Sequence, residues 1–266
     1  ISSAASDVYK RQHQLLDVKA HNLVVDAQRY QASAEIAPLL AEIESRSQAL
    51  LNKPVARLAA REVLRSTNEA GESAMGDLIA DSQLAATRAL GAQVALMNQG
   101  GMRMDISLDE GQEQVNYGQV AAVQPFNNSL TLLTLSGAQL RELLEQQWQD
   151  GGMGFYPLQP SASLTYRFDD SRAKGQRVLA ESLMVDGQLV QPQQDYRIVM
   201  NSFLAEGGDN FSVLKQARDR LDTGINDLES MIAWLQERDR AGQPVGLAEA
   251  QQRIQKVSSE VASNAP

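Results

Sequence analysis

Residues 196–211 read Tyr-Arg-Ile-Val-Met-Asn-Ser-Phe-Leu-Ala-Glu-Gly-Gly-Asp-Asn-Phe, and this stretch decides the fold class. Its first five residues predict a short buried strand. The strand runs into a loop that carries an aromatic ring, a pair of glycines and an acid. Loops that follow strands are where α/β domains place their ligands. The stretch therefore predicts an α/β domain with a binding loop between Phe203 and Asp209.

Two interpretations of this loop stay open. Asp209 can accept hydrogen bonds from the hydroxyls of a ribose, or it can bond its own backbone in an Asx-turn. Phe203 can be a stacking platform for a base, or it can be a core residue.

A second loop follows the buried-type strand predicted over 92–97 and reads Asn98-Gln99-Gly100-Gly101-Met102-Arg103. Gly100 and Gly101 let backbone amides approach an anion, and the forked guanidinium of Arg103 can bind it. Asn98 can meet the edge of a base or a hydroxyl. The alternative is a tight turn with a solvated arginine.

A third loop, 124–128, carries Phe126 between a short helix predicted at 117–123 and a strand predicted at 129–135. Phe126 can stack on a base. A large aromatic side chain is more often buried in a core, and the local pattern favours that interpretation.

The remaining pattern predicts helices around a mixed sheet. Ser73 is expected to cap a helix that Gly91 ends, and Ser136 to open a helix with Leu140 and Trp148 on one face. Asp186 and Gly187 predict a hairpin turn. A last helix presents Leu228, Met231, Ile232 and Leu235 on one face.

The composition excludes several classes of protein. The 266 residues carry a net charge of −9, whereas binding to a nucleic-acid polymer needs a basic surface. No cysteine is present, which excludes a thiolate metal site and a cysteine nucleophile. His13 and His21 are the two histidines, too few for a dinuclear metal centre. The longest apolar run is strand-sized, so we expect no membrane span.

Taken together, the motifs at 71–81, 98–103, 124–128 and 196–211 resemble the C-terminal domain of the 5′-nucleotidase family, which includes bacterial UDP-sugar hydrolases and animal ecto-5′-nucleotidases. The resemblance covers most of residues 60–240. It implies an α/β (mixed α+β) domain, with a mixed sheet, flanking helices and a preceding linker helix.

The resemblance also implies roles for individual residues. Asn98 and Arg103 would contact the substrate beside Gly100 and Gly101. Phe126 and Phe203 would sandwich the base, and Asp209 would hold the ribose hydroxyls.

This sequence departs from the family pattern at two positions. The family often carries another arginine before its Gly-Glu-Ser stretch, for which Arg65 is the nearest candidate. Asn210 stands where the family usually has glycine, and asparagine is the best substitute if that position needs positive φ.

The same resemblance divides the chain. We expect residues 1–12 to be a non-native lead-in, with a native disordered segment as the alternative. Residues 13–30 would end an absent metallophosphatase domain, in which His21 and Asp26 are not assigned as ligands. A linker helix at 31–52, the nucleotide-binding domain at 53–257 and a frayed tail at 258–266 would follow.

The function implied is nucleotide recognition in a periplasmic or extracellular 5′-nucleotidase. The two divalent metal ions and the catalytic residues would belong to the absent N-terminal domain, so this fragment alone would bind no cofactor and be inactive. Its partners would be a nucleotide or nucleoside and its own N-terminal domain. A 2′,3′-cyclic phosphodiesterase, a UDP-sugar hydrolase and a non-catalytic surface module are the alternatives.

Overall fold

The computed structural model describes residues 2–9, 15–26, 28–150 and 154–257. His13 and the predicted tail at 258–266 lie outside the described residues. The chain divides into two units, Ile1–Ala49 and Leu50–Pro266.

The helices of the described residues are α1 (Ile36–Leu51), α2 (Ala74–Thr87), α3 (Tyr117–Val123), α4 (Gly137–Glu145), α5 (Ser202–Ala205) and α6 (Asp227–Arg240). The strands are β1 (Ser2–Tyr9), β2 (Leu15–Asn22), β3 (Pro54–Ala56), β4 (Glu62–Val63), β5 (Val94–Asn98), β6 (Ile106–Ser107), β7 (Val115–Asn116), β8 (Ser129–Ser136), β9 (Trp148–Gln149), β10 (Gly154–Phe155), β11 (Leu158–Pro160), β12 (Leu164–Phe168), β13 (Met184–Val185), β14 (Gln188–Leu189), β15 (Asp195–Asn201), β16 (Arg218–Asn226) and β17 (Ile254–Lys256).

The first unit contains the antiparallel pair β1 and β2, which includes residues of the predicted lead-in. The helix α1 begins in this unit and ends at Leu51, inside the range predicted for a linker helix. Its apolar side chains, among them Leu39 and Ile43, are exposed.

The second unit is built on a five-stranded sheet in the order β11-β5-β15-β8-β16. The pair β5 and β15 is parallel and the other neighbours are antiparallel, so the sheet is mixed as predicted. Alternate residues of β5 face opposite sides: Val94 packs with Leu140 of α4, whereas Ala95 packs with Ala80 of α2. Helices on both faces explain why residues 94–97 of this strand are all apolar.

The predicted caps and the hairpin are confirmed. Ser73 accepts a hydrogen bond from the backbone of Gly76, and Ser136 forms a capping box with Gln139. Asp186 and Gly187, with φ of 49° and 74°, turn β13 into β14.

One prediction about local structure needs correction, and one strand was not predicted. The helix α4 ends at Glu145, so Trp148 is not on it. Trp148 lies in β9 and reaches the same core by stacking on Phe155, with 4.8 Å between ring centroids. The edge strand β16 gives no sequence signal, because most of its residues are exposed and it lacks an alternating pattern.

A buried cluster of charged side chains attaches the end of the chain to α2. Glu72 accepts hydrogen bonds from the backbone of Arg253 and Ile254, at 3.0 and 2.9 Å. The Arg253 guanidinium donates to both carboxylate oxygens of Asp81, and its Nε lies 3.6 Å from Asp77 Oδ1. Burial raises the pKa of Asp77 to about 8, with Glu72 adding to the increase and Arg253 opposing it.

Candidate functional site

Three loops lie at the same end of the strands of the central sheet. The strands β5 and β15 are parallel, with Val94 opposite Ile198, so both have their carboxyl ends on this side. The strand β8 runs antiparallel to β15, with Leu130 opposite Asn201, so it begins where the other two end. The loops that follow β5 and β15 and precede β8 therefore converge, although they are distant in sequence.

The converging loops enclose a cavity of about 430 Å³. Its walls are formed by Asn98, Gly100, Gly101, Arg103, Phe126, Asn128, Asn201, Phe203 and Asp209. The set includes all seven residues that the sequence predicted for the site. A cavity of this volume is in the range that small-molecule ligands occupy, about 300–1,000 Å³.

The two phenylalanines are exposed. Phe126 is 54% accessible and Phe203 48%, and both rings border the cavity. The interpretation of Phe126 as a core residue is therefore wrong. The local sequence around Phe126 shows only that the side chain is large and apolar. Both a buried core and the wall of a ligand cavity use such side chains, so the sequence could not distinguish them. The stacking role of both rings stays a prediction.

Asn98 is almost completely buried, and its side chain joins two other residues of the site. Its Nδ2 donates to Asp209 Oδ2 at 2.6 Å, and its Oδ1 accepts from Asn201 Nδ2 at 3.0 Å. The Asp209 carboxylate is thus held at the floor of the cavity by a chain of two amides. A direct contact of Asn98 with substrate, as the resemblance implies, stays a prediction.

The Asp209 loop has an unusual backbone. Asp209 and Asn210 are consecutive residues in the left-handed region, with φ of 51° and 63°. Asn210 replaces the glycine of the family pattern, and asparagine tolerates this conformation better than most residues do. Gln149 of β9 contacts both residues: its Nε2 donates to the Asp209 carbonyl oxygen at 2.5 Å, and its Oε1 accepts from Asn210 Nδ2 at 3.3 Å.

The glycine loop is closely packed from behind. A Cβ atom on Gly101 would lie 2.3 Å from Cε of Met97, and one on Gly100 would lie 2.8 Å from the Tyr156 hydroxyl. A larger residue at either position would therefore displace the neighbouring side chains, among them Asn98. Burial and the nearby charge of Asp209 raise the pKa of Tyr156, so its hydroxyl stays protonated at neutral pH.

Arg103 supplies a cation at the cavity mouth. Its guanidinium lies 5.7 Å from the ring centroid of Phe126, within the range of a cation–π contact, and donates to the Gly100 carbonyl at 3.4 Å. It makes no salt bridge with a carboxylate of the described residues. Arg65, the other arginine considered, pairs with Asp105 through its backbone amide at 2.7 Å and does not line this cavity.

The sequence predictions missed several residues of the site. Asn128 of the third loop had no predicted role, and its Nδ2 donates to Asp227 Oδ2 at 3.2 Å. Asn201 ends β15 and supports Asn98. Gln149 and Tyr156 come from a region that carried no signal for the site.

The amino-acid sequence matches the family described as "5′-nucleotidase, C-terminal domain" over residues 51–216. The chain belongs to this family. Within it, the chain is 31% identical to the cell wall protein Lmo0130 of Listeria monocytogenes over 86% of its length, and 36% identical to the trifunctional nucleotide phosphoesterase protein YfkN of Bacillus subtilis over 62%. It is similar in structure to a 5′-nucleotidase precursor from Thermus thermophilus, with 29% identity, a TM-score of 0.70 and 98% of the chain covered.

This 5′-nucleotidase C-terminal domain corresponds to a part of each of these proteins. It spans 30% of the Listeria protein, 11% of the Bacillus protein and 49% of the Thermus chain.

No helix of the described residues has the length and apolar character that a membrane crossing requires. Within the same residues, no group of three or more His, Cys, Asp or Glu side chains is arranged to hold a metal ion.

Proposed function

We propose that this chain recognises the base and ribose of a nucleotide within a metal-dependent 5′-nucleotidase, an enzyme that hydrolyses nucleoside 5′-monophosphates to nucleoside and phosphate. The observation that carries the proposal is the composition of one cavity. Two exposed phenyl rings, a guanidinium that makes no salt bridge with a carboxylate of the described residues, and a fixed carboxylate all border it.

Each of these groups suits one part of a nucleotide. Phe126 and Phe203 offer apolar faces for a base, and stacking accepts any base because every base has a π-face. Asp209 offers carboxylate oxygens to a vicinal diol, the arrangement of the ribose 2′- and 3′-hydroxyls. Arg103 offers donors to oxygens of the sugar or phosphate.

The hydrolytic step belongs, in this proposal, to an N-terminal metallophosphatase domain that carries two divalent metal ions. There the metals would activate water and stabilise the charge that develops on the phosphoryl group. The recognition domain would bring the nucleotide to them, with α1 in the linker that allows the domain to move.

The names of two relatives support this assignment. The Bacillus protein is named a nucleotide phosphoesterase and the Thermus protein a 5′-nucleotidase. The Listeria relative is named a cell wall protein, which supports the proposal that the whole enzyme is periplasmic or extracellular. Because the Bacillus name covers three activities, the complete enzyme should be assayed with AMP, 2′,3′-cyclic AMP and UDP-glucose.

The proposal is tested by calorimetric titration of the chain with adenosine. Phe126→Ala and Phe203→Ala should each weaken binding by about 1–3 kcal/mol, the usual value of one stacked base. Their melting temperatures should change little, since both rings are exposed. Leu90→Ala removes an equally exposed apolar side chain outside the cavity and should bind as the wild type does. Unchanged affinity in both phenylalanine variants would reject the proposal.

A further inference from the structure

Gln149 is a half-buried residue of β9 that does not line the cavity. Its amide group reaches the Asp209 loop from behind. The donor end bonds the Asp209 carbonyl oxygen at 2.5 Å, and the acceptor end receives Asn210 Nδ2 at 3.3 Å. One side chain therefore contacts both residues of the loop that have left-handed backbone.

This backbone conformation needs support. A non-glycine residue with positive φ is disfavoured, and Asp209 and Asn210 follow each other in this state. A backbone flip at Asp209 would swing its carboxylate away from the cavity. The bond from Gln149 fixes the Asp209 carbonyl, whereas the bond from Asn98 fixes its carboxylate. The two bonds act on the two ends of the same residue.

We propose that Gln149 is a positioning residue for ribose recognition. By holding the Asp209 backbone it keeps the carboxylate aimed at the 2′- and 3′-hydroxyls of the nucleotide, an inference that rests on the proposed function. Gln149 itself makes no contact with the ligand. Its effect is larger for the diol than for the base, because the diol is bound by the Asp209 carboxylate itself, whereas the base would stack on the side chains of Phe126 and Phe203.

The test compares adenosine with 2′,3′-dideoxyadenosine, which lacks the diol, by calorimetric titration of the full chain. The measured quantity is the ratio of the two affinities. Gln149→Met keeps the size of the side chain without its amide, and should lower the ratio about fivefold, the usual value of one net hydrogen bond. Gln149→Glu leaves the Asp209 carbonyl without its donor and places a negative charge near the carboxylate, so its ratio should fall at least as far.

Gln146→Met is the matched control. Gln146 is also a half-buried glutamine of this region, but it bonds Glu142, Ser212 and the backbone of Val213, none of which lines the cavity. Its ratio should equal that of the wild type. Asn210→Gly should also keep the ratio, because glycine adopts positive φ freely and the bond from Gln149 to the Asp209 carbonyl remains.

The outcomes separate the inference from the function on which it rests. A wild type that does not prefer adenosine overturns the proposed diol site. A wild type that prefers adenosine, together with an unchanged ratio in both Gln149 variants, overturns the positioning role and leaves the function standing. Equal weakening of both ligands also overturns it, because a merely structural residue would affect both alike. If Gln149→Met does not fold, the measurement on Gln149→Glu decides.

Discussion

The side-chain amide of Asn98 donates a 2.6 Å hydrogen bond to the carboxylate of Asp209, a residue 111 positions further along the chain. The bond links the end of β5 to the loop that follows the parallel strand β15, so residues from both regions border one cavity.

Replacing Asn98 with aspartate should make nucleoside binding depend on pH. Two carboxylates at this separation cannot both ionise without repulsion, so the pair should hold one proton with a raised apparent pKa. Above that pKa the repulsion should displace Asp209, and below it the shared proton should restore the contact. The affinity of Asn98→Asp for adenosine should therefore increase as the pH falls from 8 to 5. If the affinities of the variant and the wild type for adenosine change with pH in the same way, the proposed contact between residues 98 and 209 is contradicted.

Replacing Asp209 with alanine should affect adenosine far more than 2′,3′-dideoxyadenosine. A hydrogen bond to a charged group contributes roughly 1.5–3 kcal/mol, so the affinity for adenosine should fall about tenfold to a hundredfold. The affinity for the dideoxy analogue should stay near its wild-type value. Calorimetric titration with both compounds measures this difference. Equal losses for both ligands would remove Asp209 from the site.

The pKa of Asp77 predicts how stability depends on pH. Burial raises this pKa from the model-peptide value of 3.8 to about 8, so between these values the folded state holds a proton that the unfolded state has released. The contribution of Asp77 to stability is therefore complete below about pH 4 and is lost as the pH rises towards 8. In urea unfolding between pH 5 and pH 8, Asp77→Asn should show a smaller loss of stability with rising pH than the wild type.

Asp239→Asn is the control for this measurement. The pKa of Asp239 is lowered by its hydrogen bonds with Arg57, so this residue titrates below the pH range used. Its variant should therefore keep the wild-type slope. A wild-type slope in Asp77→Asn would show that Asp77 does not hold the proton.

The chain alone should not hydrolyse AMP. The described residues contain no candidate metal cluster, and the proposed function assigns the metals to another domain. Purified chain is incubated with AMP and Mn²⁺, Zn²⁺ or Co²⁺, and phosphate release is measured. Metal-dependent turnover that disappears on mutation of a residue in this chain would contradict the prediction.

The sequence predicted the fold class and the local motifs well, because caps and turns depend on neighbouring residues. The capping box at Ser136 and the turn at Asp186 illustrate this. It also predicted which loops form the cavity, since each follows or precedes an apolar strand. The sequence could not decide the environment of each phenylalanine ring. Phe126 and Phe211 both lie in predicted loops, yet Phe126 borders the cavity and Phe211 is fully buried in the core.

The supporting contacts could not be predicted for a different reason. Gln149 contacts residues about 60 positions away, and nothing in its neighbours distinguishes it from Gln146. Such contacts depend on how strands pair across the sheet, which local periodicity does not report. The edge strand β16 was missed because its residues face solvent.

The cluster around Arg253 has a consequence for synthesis of the chain. Glu72 precedes α2 and Asp81 lies on it, but the Arg253 guanidinium and the backbone donors of Arg253 and Ile254 that bind their carboxylates come more than 170 residues later in the chain. Until Arg253 and Ile254 have been synthesised, the two carboxylates lack these partners and must stay hydrated. The domain therefore cannot complete its folding before Arg253 has left the ribosome, and a premature stop codon just before Arg253 would leave α2 without the counter-charge that lets it be buried.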